Sequence, residues 1–275
     1  MGSATVCLTF DLDGPSSWLA RGMTTATPRS RGEFAAVAAP RVLEVLRRRE
    51  LVSTWFVPAH TVQTWPDLCR SIVAAGHEVA LHGYAHENVA TLDEARERDL
   101  LARSIAVFED LLGVRPSGFR APAWDLSDAT VALLGEHGIG YDSSMMGDDH
   151  TPYWCRVGDR LGPDQMDFGT EADVVEIPVS WTLDDFPYLE FVRSPSGVLP
   201  GVGDPREMFG RWADDLRWMR RELEDGVLTV TCHPDVIGRG HRLLALEEWL
   251  DQAASGSSTR FATCHEVAER FRRAD

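Results

Sequence analysis

The chain has no lysine; all 27 of its basic residues are arginine. Schiff-base chemistry and a lysine general base are thereby excluded. Basic residues are also scarce relative to the 43 acidic ones, which leaves a formal charge of −16. That balance argues against a polyanionic partner such as nucleic acid, and equally against an anionic membrane surface. No run of about 18 apolar residues is available to cross a bilayer. The first strand begins almost at once, with neither a basic segment nor a long apolar one ahead of it, so no secretion signal is expected. There is no GxSxG elbow and no glycine-rich phosphate loop, so serine-hydrolase and nucleotide-binding readings have no support. The five cysteines, Cys7, Cys69, Cys155, Cys232 and Cys264, are odd in number, widely spaced and free of any CxxC pair. This pattern fits reduced thiols in a cytoplasmic protein better than a disulfide framework.

What is present is a regular alternation of strand and helix patterns over 275 residues, 44% of them hydrophobic. Strands are expected at Thr5–Phe10, Ser53–Val57, Glu78–Leu81, Gly118–Arg120, Val174–Val179, Val227–Thr231 and, more faintly, Arg260–Thr263. Helices are expected at Pro40–Arg49, Pro66–Ala75, Asp93–Leu112, Ser127–His137, Pro205–Leu223 and Leu243–Ala253. Alternation at these lengths implies parallel βαβ units. Seven or eight of them point to a (β/α)7–8 barrel closing on itself, an α/β fold in one domain covering residues 1–275. An open doubly wound sheet competes, but no GxGxxG follows the first strand. Gly22–Ala39 and Met145–Asp173 break the rhythm as long loops, and in a barrel the loops after strands form the catalytic face.

Chemistry-bearing residues gather at the ends of the expected strands. Asp11 and Asp13 close the first one and share a face if the strand persists. Two neighbouring carboxylates repel unless a cation or a proton lies between them. The competing reading of Asp13-Gly14-Pro15 is plain turn chemistry. His82 and His86 follow the third strand, with Gly83 marking a strand-to-loop transition. Together with the aspartates they form a carboxylate and imidazole set suited to a divalent metal with one position left for water. Glu87 is either a support for these ligands or a solvated surface residue. Arg120 ends the Gly118 strand, where it could orient a carboxylate. His233 ends the Val227 strand, where it could act as a general acid. Cys232 beside it reads as a core thiol, and His60, His77, His137 and His265 as structural. The chain thus reads as a metal-dependent hydrolase.

Taken together, these motifs resemble the polysaccharide deacetylase family (NodB homology, carbohydrate esterase 4), in order and over most of the chain. Thr9-Phe10-Asp11-Leu12-Asp13-Gly14-Pro15 resembles its first motif, with Leu12 separating aspartates that are usually adjacent. His82-Gly83-Tyr84-Ala85-His86 resembles the second, where Ser or Thr more often follows the first histidine. Arg120-Ala121-Pro122-Ala123-Trp124 resembles the third, and His233 the last. Trp18, Asp142-Ser143-Ser144-Met145-Met146, Asp148-Asp149, Pro152-Tyr153, Ile177-Pro178-Val179-Ser180-Trp181, Leu183-Asp184-Asp185 and Gly238-Arg239 resemble the branch of peptidoglycan deacetylase-like, cyclic-imidase-like and allantoinase-like members.

The resemblance implies a distorted barrel with one divalent metal held by Asp13, His82 and His86. It implies Asp11 as base, Arg120 fixing Asp11, and His233 as acid. Zinc is the first choice, with Co2+, Ni2+, Mn2+ and Fe2+ as other candidates. Trp18, Trp124, Asp148, Tyr153, Trp181 and Asp184 are expected to contact substrate. The expected activity is hydrolysis of a non-peptide C–N bond, by N-deacylation of an amino-sugar or small-molecule substrate. The alternatives are opening of a cyclic imide or ureide, and an inactive binding module. A homo-oligomer is compatible with the sequence.

Overall fold

The computed structural model describes residues 2–194, 197–255 and 259–274. Strand β1 (Ser3–Asp11) is the central element. Its alternation decides what faces where. Val6, Leu8, Phe10 and Leu12 point outward into the main apolar core, while Cys7, Thr9, Asp11 and Asp13 lie on the opposite face, all of them buried. Phe10 stacks on Trp55 at 4.7 Å. Two helices follow, α1 (Pro15–Ala20) and α2 (Ala26–Arg48). Then come β2 (Thr54–Val57), α3 (Ala59–Thr64), α4 (Pro66–Ala74) and β3 (Glu78–Leu81). Helix α5 (Glu94–Leu112) starts where the Asp93 carboxylate accepts from Arg96 N at 2.8 Å and stops at Gly113, φ 68°. Next are β4 (Gly118–Phe119), α6 (Thr130–Glu136) and β5 (Tyr141–Asp142). Ser127 Oγ accepts from Ala129 N just ahead of α6.

The second half carries β6 (Tyr153–Val157), the short hairpin β7 (Arg160–Leu161) and β8 (Met166–Asp167), and β9 (Thr170–Glu176). It continues with α7 (Asp185–Leu189) and the hairpin strands β10 (Phe191–Ser194) and β11 (Gly197–Pro200). Helix α8 (Pro205–Glu222) is capped by Asp204 and opens on Pro205. Last come β12 (Asp225–Cys232), α9 (Pro234–Ile237), α10 (Gly240–Ala254), β13 (Thr259–Phe261) and α11 (Cys264–Ala274).

Nine strands make one curled sheet in the order β12-β1-β2-β3-β4-β5-β9-β6, with β13 beside the first half of β1. All pairings are parallel except β6 against β9. Between β9 and β12 the ring is bridged by a single Asp184–Thr231 pairing and by Val227 N donating to His150 O at 2.9 Å. This is the distorted barrel that the resemblance implies, and it is less completely closed than the alternation alone suggests. No helix among the described residues is long and apolar enough to cross a membrane.

Several expected boundaries are corrected. Gly22–Ala39 is not a loop: α2 runs through most of it, past Pro40, which is exposed within the helix. The alanine-rich run favours helix, and Ala35, Ala38, Ala39, Val42, Val45 and Leu46 form one buried stripe whose packing outweighs the proline. Met145–Asp173 holds β6, the β7–β8 hairpin and the start of β9, all short and half-exposed, with no run of apolar alternation to reveal them. The helix at Ala59–Thr64 and the β10–β11 hairpin were likewise not expected.

Candidate active site

The site lies at the carboxyl ends of the parallel strands, as in other barrels of this kind. Asp11 is the last residue of β1, His82 follows β3, Arg120 follows β4 and His233 follows β12. After Asp13 the chain turns at Gly14, φ 58°, where a Cβ would lie 2.6 Å from the Trp65 ring. Only glycine fits that turn. His86, Ala123 and Trp124 also adopt positive φ, at 62°, 57° and 51°. Three non-glycine residues in this region, all bordering one cavity, place backbone strain at the site.

Asp13 stands between two imidazoles. Its Oδ1 is 3.4 Å from His82 Nε2 and its Oδ2 is 3.2 Å from His86 Nε2. One ligand atom from each of the three falls within 4.8 Å of the others. His82 Nδ1 donates to the Arg120 carbonyl at 2.8 Å, so Nε2 is the nitrogen turned to the site. The Glu87 carboxylate accepts from Tyr84 N and Ala85 N at 3.0 and 2.6 Å, which fixes the turn joining the two histidines. Asp13 Oδ1 is buried with no hydrogen-bond donor. Burial pushes the Asp13 carboxyl up, but the two histidines outweigh it and hold the pKa well below the usual range. Burial likewise disfavours the His82 imidazolium, yet Asp11 and Asp13 raise its pKa above the ordinary value. This pocket calls for positive charge. One carboxylate and two imidazole nitrogens, with an orphaned oxygen among them, fit a divalent ion.

Asp11 and Arg120 form a buried ion pair, Oδ1 to Nη1 at 2.7 Å. The guanidinium is fully buried over the Phe56 ring and also donates to Thr9 Oγ1, Thr231 Oγ1, and both Ser143 O and Oγ. Asp11 Oδ2 stays on the His82 side, 3.8 Å from Nε2. Across the cavity, His233 Nδ1 donates to Asp185 Oδ1 at 2.8 Å, and Asp185 also accepts from His233 N. Burial lowers the His233 pKa, but Asp184 and Asp185 together lift it well above the ordinary value. Burial, partly offset by His233, pushes the Asp184 carboxyl up to about 7. Asp184, Asp185 and His233 also satisfy a metal-ligand distance test. The bonds that Asp185 accepts from the His233 backbone N–H and from its Nδ1 make this group a histidine with its orienting carboxylates. Cys232 is fully buried, and burial pushes its thiol up, so it is a core thiol.

Asp11, Asp13, His82, His86 and His233 line one cavity of about 120 Å3 together with Trp124, Trp181 and Asp184. The two indoles stack at 4.3 Å and 22°. Arg120 sits behind this wall. Three residues expected to contact substrate do not line this cavity. Trp18 is 2% exposed and packs under the Arg31 guanidinium. Asp148 accepts from His150 N and Thr151 N, tied up in its own turn. Tyr153 accepts from Gly147 N, and both it and Asp148 border a separate surface cleft with Met145 and Phe168. Their acidic and aromatic character grouped them with Trp181 and Asp184 in one expected pocket, but they border a different cleft. Arg21 and Phe186 also line this cavity and were not anticipated. No motif marks either. Asp185 was visible only as part of a resemblance, with no sign that it holds His233.

Carboxylates and imidazoles thus converge at the carboxyl rim of a parallel α/β half-barrel. Residues 1–141 match the family described as polysaccharide deacetylase. A peptidoglycan deacetylase from Helicobacter pylori is 37% identical over 278 residues, covering 95% of this chain and 94% of that protein. A crystal structure from Mycobacterium smegmatis, provisionally described as a polysaccharide deacetylase, superposes with a TM-score of 0.88 at 34% identity, covering 99% of this chain and 91% of that one. The allantoinase Puue shares the fold, with a TM-score of 0.80 at 22% identity over 98% of this chain and 90% of its own. The chain belongs to the polysaccharide deacetylase family. It is a hydrolase acting on carbon–nitrogen bonds other than peptide bonds.

Proposed function

We propose that the protein is a metal-dependent N-deacylase of an amino-sugar or related sugar-derived amide. Asp13, His82 and His86 hold the metal, Asp11 is the base and His233 the acid. The observation that carries the reading is Asp13 Oδ1, buried without a donor between two imidazoles that turn their Nε2 atoms toward the same carboxylate. A divalent ion held there, zinc first, supplies Lewis acidity toward water and the scissile carbonyl.

The chain's own residues do the rest. Arg120 occupies Asp11 Oδ1, which leaves Oδ2 on the cavity side to take the proton of the attacking water. Asp185 occupies His233 Nδ1, so Nε2 carries the proton given to the departing nitrogen, which is otherwise a very poor leaving group. The stacked Trp124 and Trp181 offer a flat apolar face to a sugar ring, and Asp184 a polar group beside it. The name of the Helicobacter pylori relative supports a peptidoglycan-type amino sugar. The compact cavity favours one second reading, opening of a small cyclic imide or ureide. Five buried free thiols support a cytoplasmic setting.

The test is the metal content of the purified protein, paired with hydrolysis assays on N-acetylglucosamine oligomers and on a cyclic imide. Asp13→Ala and His82→Ala should lose metal and activity together, and Asp11→Asn should keep metal but lose turnover. A protein that binds no metal and gains no turnover from added metal would sink the reading.

A further inference from the structure

Behind Arg120 lies a second pair of acids that the proposed chemistry does not use. Asp142 ends β5 and Glu176 ends β9, and both are fully buried. They converge on one backbone N–H: Ser144 N donates to Asp142 Oδ2 at 3.1 Å and to Glu176 Oε1 at 2.9 Å. Asp142 Oδ1 accepts from Ser144 Oγ at 2.9 Å, and Glu176 Oε1 accepts a further N–H from Met145. Glu176 Oε2 meets only the weakly donating Cys155 thiol, at 3.8 Å. Among the described residues neither carboxyl makes an ion pair. Arg120, the cation that acts on Asp142, spends its own donors on Ser143, Thr9, Thr231 and Asp11. The other titratable groups facing the pair are the Tyr153 hydroxyl and the Cys155 thiol, neither of them positive. Two full negative charges cannot persist in so dry and unpaired a place.

We propose that Asp142 and Glu176 share one proton, resident on Glu176, and that this singly charged pair positions Arg120 and, through it, Asp11 and His82. The line of contact is continuous. The pair fixes Ser144, whose Oγ accepts from Ala121 N at 2.8 Å. Ser143 beside it accepts two guanidinium N–H groups of Arg120 and donates to Ile177 O. Arg120 then holds Asp11 by its side chain and His82 by its carbonyl. Burial, followed by the Asp142 charge, pushes the Glu176 carboxyl well above the carboxylate range, in agreement with a proton resident there. Only the kinetic half of the proposal rests on Asp11 being the base.

The experiment combines 13C NMR of glutamate-labelled protein with two isosteric variants. At pH 7 one carboxyl resonance should report a protonated glutamic acid, and it should vanish in Glu176→Gln. A glutamine at 176 reproduces the neutral acid, with an amide oxygen to accept from Ser144 N and Met145 N and an N–H in place of the acid's O–H. Its kcat should therefore stay within about threefold of the parent. It should also remove any decline of kcat and stability at alkaline pH that comes from ionising Glu176. Asp142→Asn instead turns an amide toward two donors, and kcat should fall roughly 10- to 100-fold through misplacement of Arg120. An ionised Glu176 at pH 7, read on the unaltered protein whether or not the variants fold, overturns the shared proton. A Glu176→Gln protein as impaired as Asp142→Asn overturns it as well. Unchanged kcat in a folded Asp142→Asn protein overturns the positioning role. If Asp11→Asn keeps its turnover, the functional assignment fails while the NMR result still stands or falls alone.

Discussion

Removing Arg120 and removing its partner Asp11 should cost much less together than the sum of the two separate losses. The guanidinium is fully buried, carries hydrogen bonds to Asp11, Thr9, Thr231 and Ser143, and lies over Phe56 at 4.0 Å. Replacing it with methionine keeps much of the volume but leaves the Asp11 carboxylate buried without its cation. Breaking one side of a buried pair typically costs about 3–5 kcal/mol. That is a large part of the roughly 5–15 kcal/mol that holds a domain together. Asp11→Asn removes the charge from the other side, but Arg120 keeps its hydroxyl and carbonyl acceptors, so a loss of about 1.5–3 kcal/mol is expected. In the double variant no uncompensated charge remains. Its destabilisation should fall short of the sum of the single effects by at least about 2 kcal/mol, well beyond the ~0.5 kcal/mol scatter of independent sites. Denaturant unfolding measures this directly. It should be run with and without chelator, because a metal that binds only the folded protein shifts the apparent stability. Additive single effects would refute the reasoning: the ion pair would then be incidental, and Arg120 would hold its place through Ser143 and the threonines alone.

Three further outcomes are expected. Asp185→Asn withdraws a charge that raises the His233 pKa, so the alkaline limb of the kcat profile should move to lower pH. The sign for folding is the same: stability from the raised pKa is full below the unfolded value and is lost as pH rises through the folded one, so the variant loses that contribution and unfolding curves across this window should show it. Trp181→Ala should raise KM for an amino-sugar substrate with a smaller effect on kcat, because Trp181 lines the cavity at its exposed rim, stacked on Trp124 and away from the proposed base and acid. Gly32→Ala should cost about 1–3 kcal/mol in thermal or denaturant unfolding, since the new methyl would sit 2.8 Å from the backbone of Gly14 and Pro15.

The parts of this molecule legible in the sequence are those encoded locally. The alternation of β1 places Leu12 outside and Asp11 and Asp13 inside, and Asp93 and Gly113 mark the ends of α5. The strand ends carrying Asp11, His82, Arg120 and His233 were readable for the same reason: buried runs stop where polar ligands begin. What stayed hidden depends on distant pairing. The Gly22–Ala39 stretch looks loop-like because its helical stripe is built from alanines, whose burial against α9 and neighbouring elements cannot be seen in the chain itself. Trp18, Asp148 and Tyr153 have the chemistry of pocket residues and sit elsewhere. Asp185 reaches His233 across 48 residues, and Glu176 reaches Ser144 across 32. No periodicity records such contacts.

The same limit explains why sequence alone separates the roles of His82 and His233 only by resemblance. Both follow an apolar strand, both are buried, and both have a raised pKa. Their partners lie on opposite sides of the ring. For His82 the Nδ1 proton goes to a neutral carbonyl, and the carboxylates that favour a positive charge, Asp11 and Asp13, face Nε2. A cation placed at Nε2 satisfies those carboxylates as well as a proton does, so the geometry suits a ligand. For His233 the carboxylates stand behind the ring at Nδ1, and Nε2 is left to give its proton forward. A cation in the cavity would add to the charge on this imidazolium rather than replace it, which makes the proton easier to surrender to a leaving group. The split between ligand and acid that we propose therefore rests on which nitrogen meets a carboxylate, and in this chain on Asp13 on one side and Asp185 on the other.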